Sequence, residues 1–166
     1  MYRFLVTVCG LFLFLNPTVS ETNNDFSCDT VTFFYLLWED SAFGRNPDGV
    51  ERAAWIIRDG NGYQIFQKWP NSGERSKIFF KGSMPRNVLA VVHTHPVHKD
   101  SKPSTMDVSF AKRLKIDIYV VSAEGLWMSN SNGKISRVMP YTDFKEALGK
   151  CETKPKSFLP DFFLSR

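Results

Sequence analysis

Basic character gathered in one place is missing from this 166-residue chain. Lys and Arg are scattered from Arg45 to Arg166, with no basic helix and no interleaved aromatic residues, so nucleic-acid binding has no support. There is no internal repeat and no low-complexity segment, and the apolar and aromatic content suits one core rather than bulk disorder. A long hydrophobic run is lacking too. The most apolar stretch, FLVTVCGLFLFL, spans residues 4–15 and is too short to be a comfortable bilayer span. Histidine is scarce: three residues, His93, His95 and His98, all fall within six positions. Cysteine is equally sparse, with Cys9 in the apolar run and Cys28 and Cys151 near either end of the remaining chain.

The apolar run has the flanks of an export signal. Arg3 precedes it, Asn16-Pro17 breaks it, and Thr18 and Ser20 are small residues at the minus-three and minus-one positions of a cleavage site. Residues 1–20 are therefore expected to be a secretory signal peptide, with an uncleaved anchor as the alternative. Cys9 has no small residue before it, which speaks against lipid modification. Cleavage removes Arg3 and no acid, so the formal charge falls from +4 to +3. The remainder, 21–166, reads as a single exported domain with no stable membrane insertion. In an oxidising compartment Cys28 and Cys151 form a plausible disulfide, with two buried thiols as the alternative. Closing so long a loop is worth roughly 4 to 5 kcal/mol at most in the chain-entropy model.

The order of elements predicts an α+β fold, a mixed sheet with few helices packed on it. Residues 29–42 fit a helix or a strand. Phe33, Phe34, Leu37 and Ser41 on one helical face, with Asp29 or Thr30 as N-cap, favour the helix. A turn-rich break covers 44–49, and a strand over 50–58 carries Glu51 near its start. Asp59-Gly-Asn-Gly62 predicts a hairpin to a strand over 63–69, with a further short strand at 77–80. Strands at 88–92, 116–122, 125–128 and 134–138 come next, with helices at 105–115 and 141–149. The aromatics Trp55, Phe66, Trp69, Phe79 and Trp127 read as core.

All three histidines sit just past the buried-type strand VLAVV. Residues two apart on a strand point the same way, so His93 and His95 project side by side. Pro96 stops the ladder. Ser104 reads as the N-cap of the next helix, with Asp107 in its first turn able to turn back toward the imidazoles. Two neutral imidazoles and one carboxylate leave a tetrahedral zinc ion one open position, as in catalytic rather than structural sites. His98 reads as a loop residue, because a fourth protein ligand closes that position. Lys99, Asp100 and Lys102 read as a solvated loop, with a lining of substrate entry as the alternative.

These residues complete the pattern His-x-His-Pro-x7-Ser-x2-Asp, which resembles that of the JAMM metallopeptidases, also called the JAB or MPN-plus domain. The matching unit covers about residues 50–138. The segment 119–127 also resembles part of bacterial secreted or toxin-associated relatives. The resemblance implies a JAB/MPN-like mixed sheet with flanking helices, in a cytidine-deaminase-like layered architecture. It implies that His93, His95 and Asp107 hold one Zn2+ ion. It gives Ser104 the hydrogen bond to a developing oxyanion, and it gives a glutamate on an earlier strand the role of general base and then acid. Glu51, in GVERAAWII, is the acid so placed; Glu39 and Glu74 lie in helix-end or loop contexts. The chemistry agrees, since a metal ion acidifies water, a neighbouring carboxylate moves its proton, and a hydroxyl donates where charge develops. The expected activity is that of an exported zinc-dependent hydrolase, periplasmic or extracellular, cleaving an amide or isopeptide bond of a peptide or protein. A secreted effector or toxin on the same fold, and a non-catalytic JAB-like interaction module, are the alternatives.

Overall fold

A computed structural model describes residues 26–45, 50–62, 64–70 and 83–152. The expected signal peptide (1–20) and the expected strand at 77–80 lie outside the described residues, as does Phe79. Helix α1 (Cys28–Asp40) opens at Ser27, whose hydroxyl accepts the Thr30 amide at 3.2 Å. The cap is thus Ser27 rather than Asp29 or Thr30, and Asp29 sits in the first turn where the helix dipole favours a carboxylate. Val31, Phe34 and Trp38, with Phe33 and Leu37 beside them, form a buried stripe at helical spacing. That stripe decides for helix over the β-branched and aromatic start of the segment.

Six strands form one mixed sheet in the order β2-β1-β3-β4-β5-β6. They are β1 (Ala53–Arg58), β2 (Gln64–Lys68), β3 (Val88–Thr94), β4 (Asp117–Ser122), β5 (Gly125–Ser129) and β6 (Ile135–Pro140). Neighbours run antiparallel except β3 and β4, whose parallel pairing requires a crossover. Helix α2 (Thr105–Leu114) is that crossover, and α3 (Tyr141–Glu152) comes after β6.

Alternation along each strand splits the core in two. Ala54, Ile56, Ala90, Val92, Val121 and Leu126 meet α1 and Phe144 of α3 on one face. Trp55, Val91 and Ile118 meet Ala111 of α2 on the other. His93 lies two residues beyond Val91, so it belongs to the α2 face. Phe33 stacks on Phe66 with ring centroids 4.3 Å apart, and Trp55 meets Trp69 at 4.9 Å. Trp127 is only partly buried, and Lys102 and Arg137 each lie over its ring, at 5.5 and 5.6 Å. Cys28 and Cys151 are bonded, 123 positions apart, tying α1 to α3. Among the described residues, no helix is long and apolar enough to cross a membrane.

Candidate metal centre

Register brings the site together. The strand expected over 50–58 begins at Ala53, which leaves Glu51 on the approach to β1. Ala53 pairs with His93, and beyond it the Thr94 amide donates to the Arg52 carbonyl at 2.9 Å. The antiparallel pairing therefore sets Glu51 beside the end of β3. On the other flank the His95 amide donates to the Val121 carbonyl at 2.9 Å, holding the chain against β4 after β3 has ended.

His93, His95 and Asp107 each offer one ligand atom, and these atoms all lie within 4.8 Å of one another. His93 Nε2 faces His95 Nε2 at 3.1 Å and Asp107 Oδ1 at 3.4 Å, and His95 Nε2 is 3.8 Å from Asp107 Oδ2. Zinc–ligand distances of about 2.0–2.2 Å place tetrahedral ligands about 3.4 Å apart, so the observed separations bracket what one ion requires. Both histidines are only 5% exposed.

Orientation of the ligand atoms comes from their neighbours. The Asp100 carbonyl lies 2.7 Å from His95 Nδ1 and can only accept, so Nδ1 carries the proton and the neutral ring turns the lone pair of Nε2 into the site. Asp107 Oδ2 accepts from the Ser104 amide at 2.6 Å and the Ser104 hydroxyl at 2.7 Å, leaving Oδ1 toward His93. Ser104 is the N-cap of α2, as expected: its hydroxyl accepts the Asp107 amide at 3.2 Å in a capping box. The same hydroxyl gives its proton to Asp107, so the proton expected to serve an oxyanion is already engaged.

Charge is balanced within the group. Burial disfavours a protonated His93, but the charge and hydrogen bond of Asp107, with Glu51 adding to them, outweigh it and raise its pKa above 6.5. Burial also opposes ionisation of Asp107, yet His93 and the two Ser104 hydrogen bonds hold its carboxyl well below the usual range. For His95, burial and then the neighbouring charge of His93 lower the pKa. The site thus favours a positive charge between His93 and Asp107 and a neutral imidazole beside it. A divalent cation fits that donor set and that polarity.

Glu51 is 7% exposed, and its Oε1 accepts from Lys99 Nζ at 2.7 Å. Asp100 is exposed, as its composition suggests, and only its backbone carbonyl enters the site, whereas Lys99 is partly buried against Glu51. One holds Glu51 and the other fixes His95, and no spacing rule in the sequence marks either. Gly44, at the start of the turn-rich break, has φ +69°, and a Cβ there would stand 2.6 Å from the Trp38 ring and 3.0 Å from the His95 carbonyl oxygen. Its own carbonyl accepts the Val97 amide at 3.0 Å, so this glycine seats the metal-binding loop on α1. His98 is exposed and outside the ligand group.

No protein-family model and no curated protein matches the chain. Among solved structures it is similar to the crystal structure of a JAB1/MPN domain protein from Archaeoglobus fulgidus, with 18% sequence identity over 65% of this chain and 91% of that one, at a TM-score of 0.44.

Proposed function

We propose that this chain is a zinc-dependent hydrolase of the JAMM type, cleaving an amide or isopeptide bond in a peptide or protein substrate. The observation that carries the reading is the convergence of two imidazole Nε2 atoms and Asp107 Oδ1, with a buried carboxylate, Glu51, alongside. A zinc ion held by His93, His95 and Asp107 supplies Lewis acidity toward water and a carbonyl oxygen. The three-ligand set leaves a coordination position for chemistry, unlike a structural site with four protein ligands. His2Asp sets also bind other divalent ions, so zinc is part of the proposal.

The chain's own residues then have separate tasks. Glu51 accepts a proton from the attacking water at a carboxylate oxygen and returns it to the departing amine. Asp100 locks the His95 ring through its carbonyl, and Ser104 locks the Asp107 carboxylate through two hydrogen bonds, so the ligands are fixed before any ion arrives. We place the enzyme outside the cytoplasm, periplasmic or extracellular. The signal-like residues 1–20 and the Cys28–Cys151 disulfide support that location.

The test is to purify the protein without chelator, measure its metal, and incubate it with envelope extracts while new amine termini are identified by mass spectrometry. Wild type is expected to carry one zinc and to create termini that chelation abolishes. Glu51→Gln is expected to keep the zinc and lose the products. A wild-type protein that binds no divalent ion, even when zinc is supplied, overturns the reading.

A further inference from the structure

We propose that Lys99 keeps Glu51 out of the metal's coordination shell, so that the carboxylate stays a proton acceptor and the fourth position stays open. This rests on the proposed metal centre and assigns Lys99 as a positioning residue acting through Glu51.

The argument begins with what a buried carboxylate needs. Glu51 is 7% exposed, and its charge is felt by both His93 and His95. Taking a carboxylate out of water is costly unless a counter-charge and hydrogen bonds replace the solvent. The ammonium of Lys99 is one counter-charge in contact with it, and a divalent ion at the neighbouring His93–His95–Asp107 group would be a second. Carboxylate is a good zinc ligand, and a fourth protein ligand turns an open site into a closed one. Lys99 supplies the competing partner, its Nζ standing 2.7 Å from Glu51 Oε1.

The loop makes that competition hold. The Lys99 amide donates to the Pro96 carbonyl at 2.9 Å, closing a turn directly after His95. The next residue, Asp100, fixes the His95 ring through its carbonyl. One short turn therefore carries both the carbonyl that orients His95 and the ammonium that holds Glu51. The ammonium is a compact charge on a flexible stem, and its side chain is 33% exposed, so it can follow small movements of a carboxylate that is itself enclosed.

Zinc affinity is measured by competition with a chelating dye for wild type, Lys99→Met, Lys99→Gln, Lys99→Arg, Glu51→Gln and Glu51→Gln/Lys99→Met. The cobalt-substituted proteins are titrated with azide, a small anion that takes an open coordination position, and followed by visible absorption. Lys99→Met and Lys99→Gln are expected to bind zinc at least about tenfold more tightly, about 1.4 kcal/mol, and to lose the spectral response to azide. Lys99→Arg is expected to behave as wild type. In the Glu51→Gln background the gain is expected to vanish and the azide response to return, because loss of a nearby cation alone does not need Glu51. Unchanged or weaker affinity in both neutral variants, an equal gain with and without Glu51, or an azide response retained in Lys99→Met overturns this assignment while the metal centre stands. Wild-type protein that binds neither zinc nor cobalt overturns both.

Discussion

Asp107 does two jobs with its two oxygens, and substitution separates them. Oδ2 closes the capping box of α2 with Ser104, and Oδ1 faces His93. Asp107→Asn keeps a carbonyl oxygen able to accept from Ser104 but removes the charge. Asp107→Ala removes both. Without metal, Asp107→Asn is expected to lose the helix-end charge effect and the attraction to the buried His93, together about 3 kcal/mol. Asp107→Ala adds the loss of a capping partner, about 1 kcal/mol more. With metal the scale changes. Zinc at one hundred times its dissociation constant stabilises a folded-state site by about 2.7 kcal/mol. For a chain of this size that is a rise of about 5–11 °C in melting temperature. The assay is a thermal melt of each protein with and without zinc. Wild type is expected to show the full rise, and both variants none at the same zinc concentration, even though Asp107→Asn keeps a capping acceptor for Ser104. An equal zinc-dependent rise in Asp107→Asn would refute the ligand role and leave Asp107 as a helix cap alone.

Three further outcomes are expected. A raised His93 pKa contributes stability that is present below pH 6.5 and lost as pH climbs through its folded value, whereas the lowered Asp107 pKa contributes stability present above about 3.8 and lost in acid. Metal-free protein is thus expected to lose stability as pH rises above 6.5 relative to His93→Gln, and zinc affinity to increase over the same range as His93 becomes neutral; parallel melting curves for the two proteins would contradict this. Gly44→Ala is expected to cost about 1–3 kcal/mol from strain at positive φ and crowding against Trp38, and to weaken zinc binding by displacing the His95 carbonyl; wild-type affinity in a stably folded variant would break the link from Gly44 to the loop. Replacing both Cys28 and Cys151 by Ser is expected to lower stability by up to about 5 kcal/mol, given the 123-residue separation, with zinc affinity little changed in the folded protein because the bond ties helices across the sheet from the ligands; affinity lost at native temperature would contradict that separation.

The motif residues are legible in the sequence because their spacing reflects local geometry. His93 and His95 share a strand end, and Ser104 and Asp107 share a first helical turn, so a few sequence positions carry their relation. The strand and helix order is legible for the same reason, through period and turn chemistry. Positions governed by distant neighbours are not. Ser27 rather than Asp29 caps α1 because Ser27 lies where the backbone is still extended, a detail two residues wide. Lys99 and Asp100 act through partners forty-eight and five positions away, and in Asp100 the acting group is the backbone carbonyl rather than the side chain. Gly44 matters because of Trp38 and His95, and glycine in a turn offers no hint of what packs on it.

The pairing of β1 with β3 slips between Ile56 and Ile57, at the end of the ladder away from Ala53 and His93. Side chains alternate with a period of two, so the same slip at the other end would throw Glu51 onto the wrong side of the sheet. Placed where it is, the irregularity acts as an expansion joint. A shift in pairing at that end is taken up before it reaches Ala53 and His93, so the reacting groups keep their alignment.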